Sequence, residues 1–177
     1  YVASTTFTDA LSSTTMTVAF DGTSYWSTSG GGTGGTRLAQ YDSGGALVGT
    51  YAPGLDFRSI FTNASGTVFA RQFANSTIYT QTSPGTFVPF VTLNGGSLDG
   101  QSSVILNTLG TQYIAMSGGS VSRWDLSGNY VGSLALAGFG GTEGDYPQGR
   151  GIAAAGNYYL TYDSNNVLSA WDPVTGA

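Results

Sequence analysis

Short apolar runs recur along the chain, separated by clusters of Gly, Asp, Asn, Ser and Thr, and no stretch holds the 3.6-residue apolar spacing of a helix. The runs read as strands in sets of four. The first set is 17–20, 23–27, 36–41 and 46–51. The second is 57–61, 67–72, 77–80 and 86–93, and the third is 103–107, 111–116, 120–124 and 129–136. A fourth set gives only 151–154, 158–161 and 167–171 before the chain ends. In the second strand of each set both faces are apolar, with Trp26, Ala70, Ile114 and Leu160 opposite a neighbouring aromatic. That pattern predicts sheets sandwiched between other sheets rather than half-exposed ones. The aromatics accordingly read as core between sheets, with ligand stacking as the competing role.

The sets are repeats of one pattern. A glycine followed three residues later by an aromatic occurs at Gly22/Tyr25, Gly66/Phe69, Gly110/Tyr113 and Gly156/Tyr159. The glycines lie 44, 44 and 46 residues apart, and counting on through both termini closes the circle with 43. A second aromatic ends the third strand of each set: Tyr41, Tyr79, Trp124 and Trp171. All-strand repeats of this length predict an all-β, four-bladed β-propeller with four antiparallel strands per blade. The 177 residues then form a single domain, with repeats at about 16–56, 57–101, 102–148 and 149–177 plus 1–8.

The last repeat lacks its fourth strand, and the chain start supplies a match. Tyr1-Val2-Ala3-Ser4-Thr5-Thr6-Phe7 matches Tyr130-Val131-Gly132-Ser133-Leu134-Ala135-Leu136 in its opening pattern and in its place before a loop. The expectation is that the N-terminal strand completes the last blade and removes an open sheet edge. Two alternatives stand beside it: a segment of a longer tandem array, or strand donation by residues 1–8 into a neighbouring subunit.

Composition narrows the function. Only 8% of residues are charged, so solubility rests on Ser, Thr, Asn, Gln and 28 glycines. Five arginines, no lysine and a net charge of -5 argue against nucleic acid, whose binders need a clustered basic face. No apolar run approaches the roughly 20 residues that span a bilayer, which argues against membrane insertion. Without histidine or cysteine there is no Ser-His-Asp or Cys-His chemistry, no imidazole or thiolate ligand for zinc, and no disulfide. The opening residues read as a strand, not a signal peptide, so an exported protein would appear here in its mature form or as a fragment.

Candidate sites lie in the loops. Each loop from the fourth strand of one set to the first strand of the next carries acid: Asp9, Asp56, Asp99 and the pair Glu143/Asp145. Related by a pseudo-fourfold axis, Asp9, Asp56, Asp99 and Asp145 would suit Ca²⁺, the one cofactor the sequence suggests. Their structural role would be to cap loop amides or to pair with Arg58 and Arg150. The insertion 137–149 holds Phe139, Glu143, Asp145 and Tyr146, either as a sugar-binding edge with an aromatic to stack and acids to accept hydroxyl hydrogen bonds, or as an ordered lid. The glycine-rich stretch 29–36 lacks the Lys and the helix of a phosphate loop and reads as a flexible connection. Asn63 and Asn75 head tripeptides that fit the N-glycosylation sequon. The turns Asp42-Ser43-Gly44-Gly45 and Asp125-Leu126-Ser127-Gly128 each place an acid to cap the turn before a glycine.

Three segments carry a family resemblance: Arg123-Trp124-Asp125-Leu126-Ser127-Gly128-Asn129, Tyr146-Pro147-Gln148-Gly149-Arg150-Gly151-Ile152, and Leu168-Ser169-Ala170-Trp171-Asp172. They resemble secreted bacterial propeller-like proteins of the PEP-CTERM-sorted type, associated with exopolysaccharide producers, although the sorting tail itself is absent. The resemblance implies an extracellular location and a structural, adhesive or matrix role, and brings no catalytic residues with it. The expected function is a secreted, non-catalytic structural or interaction module whose partners are itself or extracellular polysaccharide. A carbohydrate-binding lectin-like propeller is the alternative, and a secreted lyase or hydrolase a further one.

Overall fold

The structure is a computed structural model that describes residues 5–11, 15–140, 151–163 and 167–177. The strands are β1 (Thr15–Phe20), β2 (Ser24–Ser29), β3 (Leu38–Asp42), β4 (Leu47–Tyr51), β5 (Phe57–Thr62), β6 (Val68–Gln72), β7 (Thr77–Ser83) and β8 (Thr86–Thr92). They continue with β9 (Val104–Leu106), β10 (Gln112–Ser117), β11 (Ser120–Asp125), β12 (Tyr130–Ala135), β13 (Ile152–Ala155), β14 (Tyr158–Tyr162) and β15 (Leu168–Trp171). Four antiparallel sheets follow in chain order, β1-β2-β3-β4, β5-β6-β7-β8, β9-β10-β11-β12 and β13-β14-β15. The fold is thus the four-bladed β-propeller that the repeats predict, with three strands in the last blade among the described residues. Of residues 1–8, expected to complete that blade, 5–8 form no strand and 1–4 lie outside the described residues. By contacts the chain divides into two compact units, Tyr1–Phe73 with Ile78–Phe90, and Ala74–Thr77 with Val91–Ala177.

In the first unit Trp26 and Leu38 of the first sheet pack on Phe57, Ile60, Val68 and Ala70 of the second. The inner strands β1 and β5 are stitched by side chains. The Ile60 amide donates to Thr17 Oγ1 at 2.8 Å, and the Thr62 hydroxyl donates to the Phe20 carbonyl at 3.0 Å. Here the repeat slips by one residue. Tyr25 pairs across the sheet with Tyr41, Tyr113 with Trp124 and Tyr159 with Trp171, whereas Tyr79 pairs with Ala70. Phe69 therefore faces the other side, against Phe61 and Phe90, and is not equivalent to the other repeat aromatics. With a side-chain period of two, one residue of slip reverses the faces.

The second unit packs Ile114, Met116 and Val121 of the third sheet against Ile152, Tyr159 and Trp171 of the fourth. Both buried indoles have acceptors: Trp171 Nε1 donates to Thr161 Oγ1 at 2.7 Å and Trp124 Nε1 to the Gly95 carbonyl at 3.1 Å. The expected two-faced burial holds for β6 and β10 but not for β14. There Tyr159 is buried while Tyr158 and Tyr162, on the opposite face, are exposed.

Turns repeat as closely as cores. Asp42 Oδ1 accepts from the Gly44 and Ala46 amides, Asp125 Oδ1 from Ser127 and Asn129, and Asp172 Oδ1 from Val174 and Thr175. Gly45, Gly128 and Gly176 close these turns at positive φ, and each lies against a backbone carbonyl from earlier in the chain: Thr6, and the strand ends Thr92 and Ala135, respectively. Residues 5–7 thus take against the first blade the position that Thr92 and Leu93 take against the third and Ala135 and Leu136 against the fourth. Phe7 stacks on Tyr41 with ring centroids 4.3 Å apart.

Candidate functional site

The loop acids are held by hydrogen bonds. Asp9 Oδ1 accepts from Tyr41 OH at 2.8 Å, Ser27 Oγ at 2.8 Å and the Leu11 amide at 3.1 Å, while Oδ2 accepts from the Thr15 hydroxyl. Burial pushes the Asp9 carboxyl up, but the donors from Thr15, Leu11, Ser27 and Tyr41 together outweigh it, so the group sits below the usual aspartate value. Asp56 Oδ1 takes Arg58 Nη1 at 2.7 Å and the Gly31 amide at 2.9 Å. Here too burial acts upward and loses to Arg58 and the Gly31 and Gly32 amides. Asp99 Oδ1 accepts from the Gln101 amide at 2.8 Å. Asp145, Glu143, Tyr146 and Arg150 lie outside the described residues.

Among the described residues no three acidic side chains converge on a point that could hold a metal ion. Both oxygens of Asp9 and Oδ1 of Asp56 already accept protein donors. The loop from β4 to β5 shows how far this goes. Arg58 donates to Asp56 and, at 2.6 Å, to the Phe57 carbonyl, and its guanidinium lies 4.7 Å from the Phe73 ring centre.

The glycine-rich stretch is not the flexible tether its composition suggests. Arg37 reaches back over it, donating from Nη1 to the Gly30 carbonyl at 2.6 Å, from Nε to Gly34 at 2.9 Å and from Nη2 to Gly31 at 3.4 Å. With Asp56 holding the Gly31 amide, two charges clamp opposite polarities of the same backbone. Sequence reasoning missed Arg37 because a side chain bonding to carbonyls leaves no motif. Its place directly after the loop, with no acid near it in sequence, was the available signal.

Phe139 is the described member of the proposed sugar-binding insertion. It is partly buried, packs against the core of the second unit and sits 6.4 Å from the Trp171 ring. That is the contact of a core-capping residue. Asn63 and Asn75 both use Oδ1 locally, Asn63 accepting from the Ser65 and Thr67 amides and Asn75 from Thr77. Exposed apolar groups instead lie along the outer strands: Leu47 and Val48 on β4, Val88 and Phe90 on β8, Tyr130 and Val131 on β12. Val48 and Val131 occupy matching β-bulges, each skipped in the pairing with the adjacent strand. Among the described residues no helix is long and apolar enough to cross a membrane.

No family model and no curated protein matches the chain. Solved structures match its fold. A streptogramin B lyase is 14% identical with a TM-score of 0.51, over 93% of this chain and 57% of the lyase. A putative 6-phosphogluconolactonase from Bacteroides fragilis is 16% identical with a TM-score of 0.55, over 92% of this chain and 52% of that one. The computationally designed Ika4 protein is 14% identical with a TM-score of 0.50, over 97% of this chain and 99% of that one. The chain spans little more than half the length of the first two, and at these identities the likeness is one of fold.

Proposed function

We propose that this chain is a secreted, non-catalytic structural or interaction module, a component of a cell surface, matrix or fibre. The observation that carries the reading is how its surface is built. Charged side chains near the loops are turned inward to hold backbone, while the outer strands β4, β8 and β12 present uncharged, partly apolar ridges. Such ridges suit contact with large partners, either further copies of the chain or polysaccharide. Extracellular placement and the PEP-CTERM-type kinship belong to the same proposal. They are supported by the lysine-free, Ser/Thr/Gly-rich composition and by the repeat motifs.

A carbohydrate-binding role is the second reading, favoured by the exposed Phe20 ring lying 4.6 Å from Tyr25 as a sugar-stacking surface. Catalysis gains less support. One solved neighbour is a virginiamycin B lyase rendered catalytically inactive by exchanging a histidine for alanine, and this sequence has no histidine. Calcium would have to be held by the loop acids, and the hydrogen bonds already on Asp9 and Asp56 weigh against it.

Negative-stain electron microscopy of the purified chain, together with co-sedimentation on insoluble polysaccharides, tests the proposal. Ordered assemblies or saturable co-sedimentation are expected. A dispersed protein that binds no polysaccharide and turns over a lactone or a streptogramin would refute it.

A further inference from the structure

Asn94-Gly95 is the one Asn-Gly pair in the sequence, and it follows closely on the end of β8. Asn94, Gly95 and Gly96 are all exposed, so water reaches the pair. The backbone around it is fixed from both sides. The Asn94 amide donates to the Gly128 carbonyl at 2.8 Å, and the Asn94 carbonyl accepts from the Tyr130 amide at 3.2 Å. The Gly95 carbonyl accepts from Trp124 Nε1 at 3.1 Å. The Gly95 amide itself donates to nothing among the described residues.

The Asn94 side chain is also held differently from those of Asn63, Asn75 and Asn107. These three use Oδ1 to accept amides of their own turns. Each is followed by a residue with a side chain, Ala64, Ser76 and Thr108. Asn94 makes one side-chain hydrogen bond, from Nδ2 to the Thr92 carbonyl at 3.0 Å, and its Oδ1 accepts none among the described residues. The amide nitrogen that follows an asparagine is a nucleophile within reach of the side-chain Cγ, and a β-carbon on the following residue crowds that approach. Gly95 has no β-carbon.

We infer that Asn94-Gly95 is a self-modification site, at which the chain with water as sole co-reactant loosens the link between the end of β8 and the β11–β12 turn. The Gly95 nitrogen forms a bond to Asn94 Cγ, the Cγ–Nδ2 bond breaks, and the Gly95 amide proton leaves with Nδ2 as ammonia. Water then adds to one carbonyl of the five-membered imide. The ring C–N bond at that carbonyl breaks, nitrogen regains a proton, and a carboxylate is released. Attack at Cγ gives aspartate, and attack at the backbone carbonyl gives isoaspartate. Either product adds one negative charge to the net -5. Isoaspartate also routes the main chain through Cβ, and the carbonyl that Tyr130 held becomes a side-group carboxylate. The spacing from the Asn94 amide on Gly128 to the Gly95 carbonyl on Trp124 then no longer matches its two anchors. This inference is independent of the interaction-module reading.

The test incubates the purified chain in mildly alkaline buffer made with ¹⁸O-labelled water and reads each asparagine by peptide mass spectrometry. Asn157, likewise exposed but followed by Tyr158, is the internal control. With no β-carbon at Gly95 to hinder it, residue 94 should convert at least about tenfold faster than Asn157. It should take up a single ¹⁸O and yield isoaspartate together with aspartate, the signature of an imide. Asn94→Gln, which would need a larger ring, should abolish the reaction at this position. After chromatographic separation the isoaspartyl fraction should melt below the unmodified chain. Conversion at residue 94 no faster than at Asn157, aspartate without isoaspartate, or an isoaspartyl fraction that melts with the unmodified chain overturns the inference. These three readings come from the wild-type chain and hold whether or not Asn94→Gln folds.

Discussion

The Thr92 carbonyl oxygen, at the end of β8, lies directly against Gly128 in the turn between β11 and β12, where a β-carbon would overlap it. The adjoining backbone is locked by the Asn94 amide donating to the Gly128 carbonyl at 2.8 Å. Gly45 against Thr6 and Gly176 against Ala135 repeat the relationship, so one contact type sets a backbone carbonyl against each of the three turns.

Gly128→Ala should therefore destabilise by more than the conformational penalty alone. Gly128 stands at φ +87, where a side chain costs roughly 1–3 kcal/mol before any clash. Gly110, at φ +67 with nothing within 4 Å of an added β-carbon, is the control. Urea midpoints should fall clearly further for Gly128→Ala than for Gly110→Ala. Equal losses would show that the Thr92 contact contributes nothing.

Much of this was legible in sequence, for a physical reason that also marks where legibility ends. Gly22/Tyr25 and its partners recur because each blade needs the same turn and the same buried ring, and Asp125 announces its turn because a short acid before a glycine has little else to do. Phe69 misled because spacing counts residues, not faces, and nothing in the Gly66/Phe69 pair reveals that Ala70 meets Tyr79. The loop acids misled differently. Spacing shows that Asp9, Asp56 and Asp99 recur, but not that Tyr41, Ser27 and Arg58 already occupy the oxygens of the first two. Those partners are remote in sequence or carry no motif.

Tyr113→Ala should cost about 3–5 kcal/mol, the range for truncating a buried aromatic. Tyr113 is 2% exposed and pairs across the sheet with Trp124 on one side and Leu106 on the other. The matching change at Phe20, 42% exposed, should cost far less. Denaturant unfolding of both variants checks the ordering, and similar midpoints would contradict it.

Asp9→Ala should unpair Tyr41 OH and Ser27 Oγ together, at about 1–3 kcal/mol for each buried donor stranded. Asp9→Asn keeps an oxygen acceptor and should lose less. Because the Asp9 oxygens are already filled by protein donors, the wild-type Tm is expected to be the same in calcium as in chelator. A calcium-dependent rise abolished by Asp9→Asn would restore the loop acids as a metal site.

Acid should unfold the protein through these same carboxylates. Asp9, Asp21 and Asp56 lie below the usual aspartate value because their donors outweigh the upward push of burial. Asp125 and Asp172, at the surface, are lowered chiefly by turn amides, with the Asn129 amide foremost for Asp125 and the Thr175 amide for Asp172. With folded values depressed, the unfolded chain binds more protons as the pH falls. The stabilisation is complete above the unfolded value and is lost as the pH descends through the folded ones. No histidine titrates in the neutral range, so Tm should be nearly flat from about pH 8 to pH 5 and then drop below about pH 4. Asp125→Asn keeps an oxygen for the Ser127 and Asn129 amides but cannot ionise, and should shallow the acid limb while lowering the neutral plateau slightly. Melting curves across this range decide the matter. A Tm that holds or rises through the acid limb would show that these turns owe nothing to the charge of their aspartates.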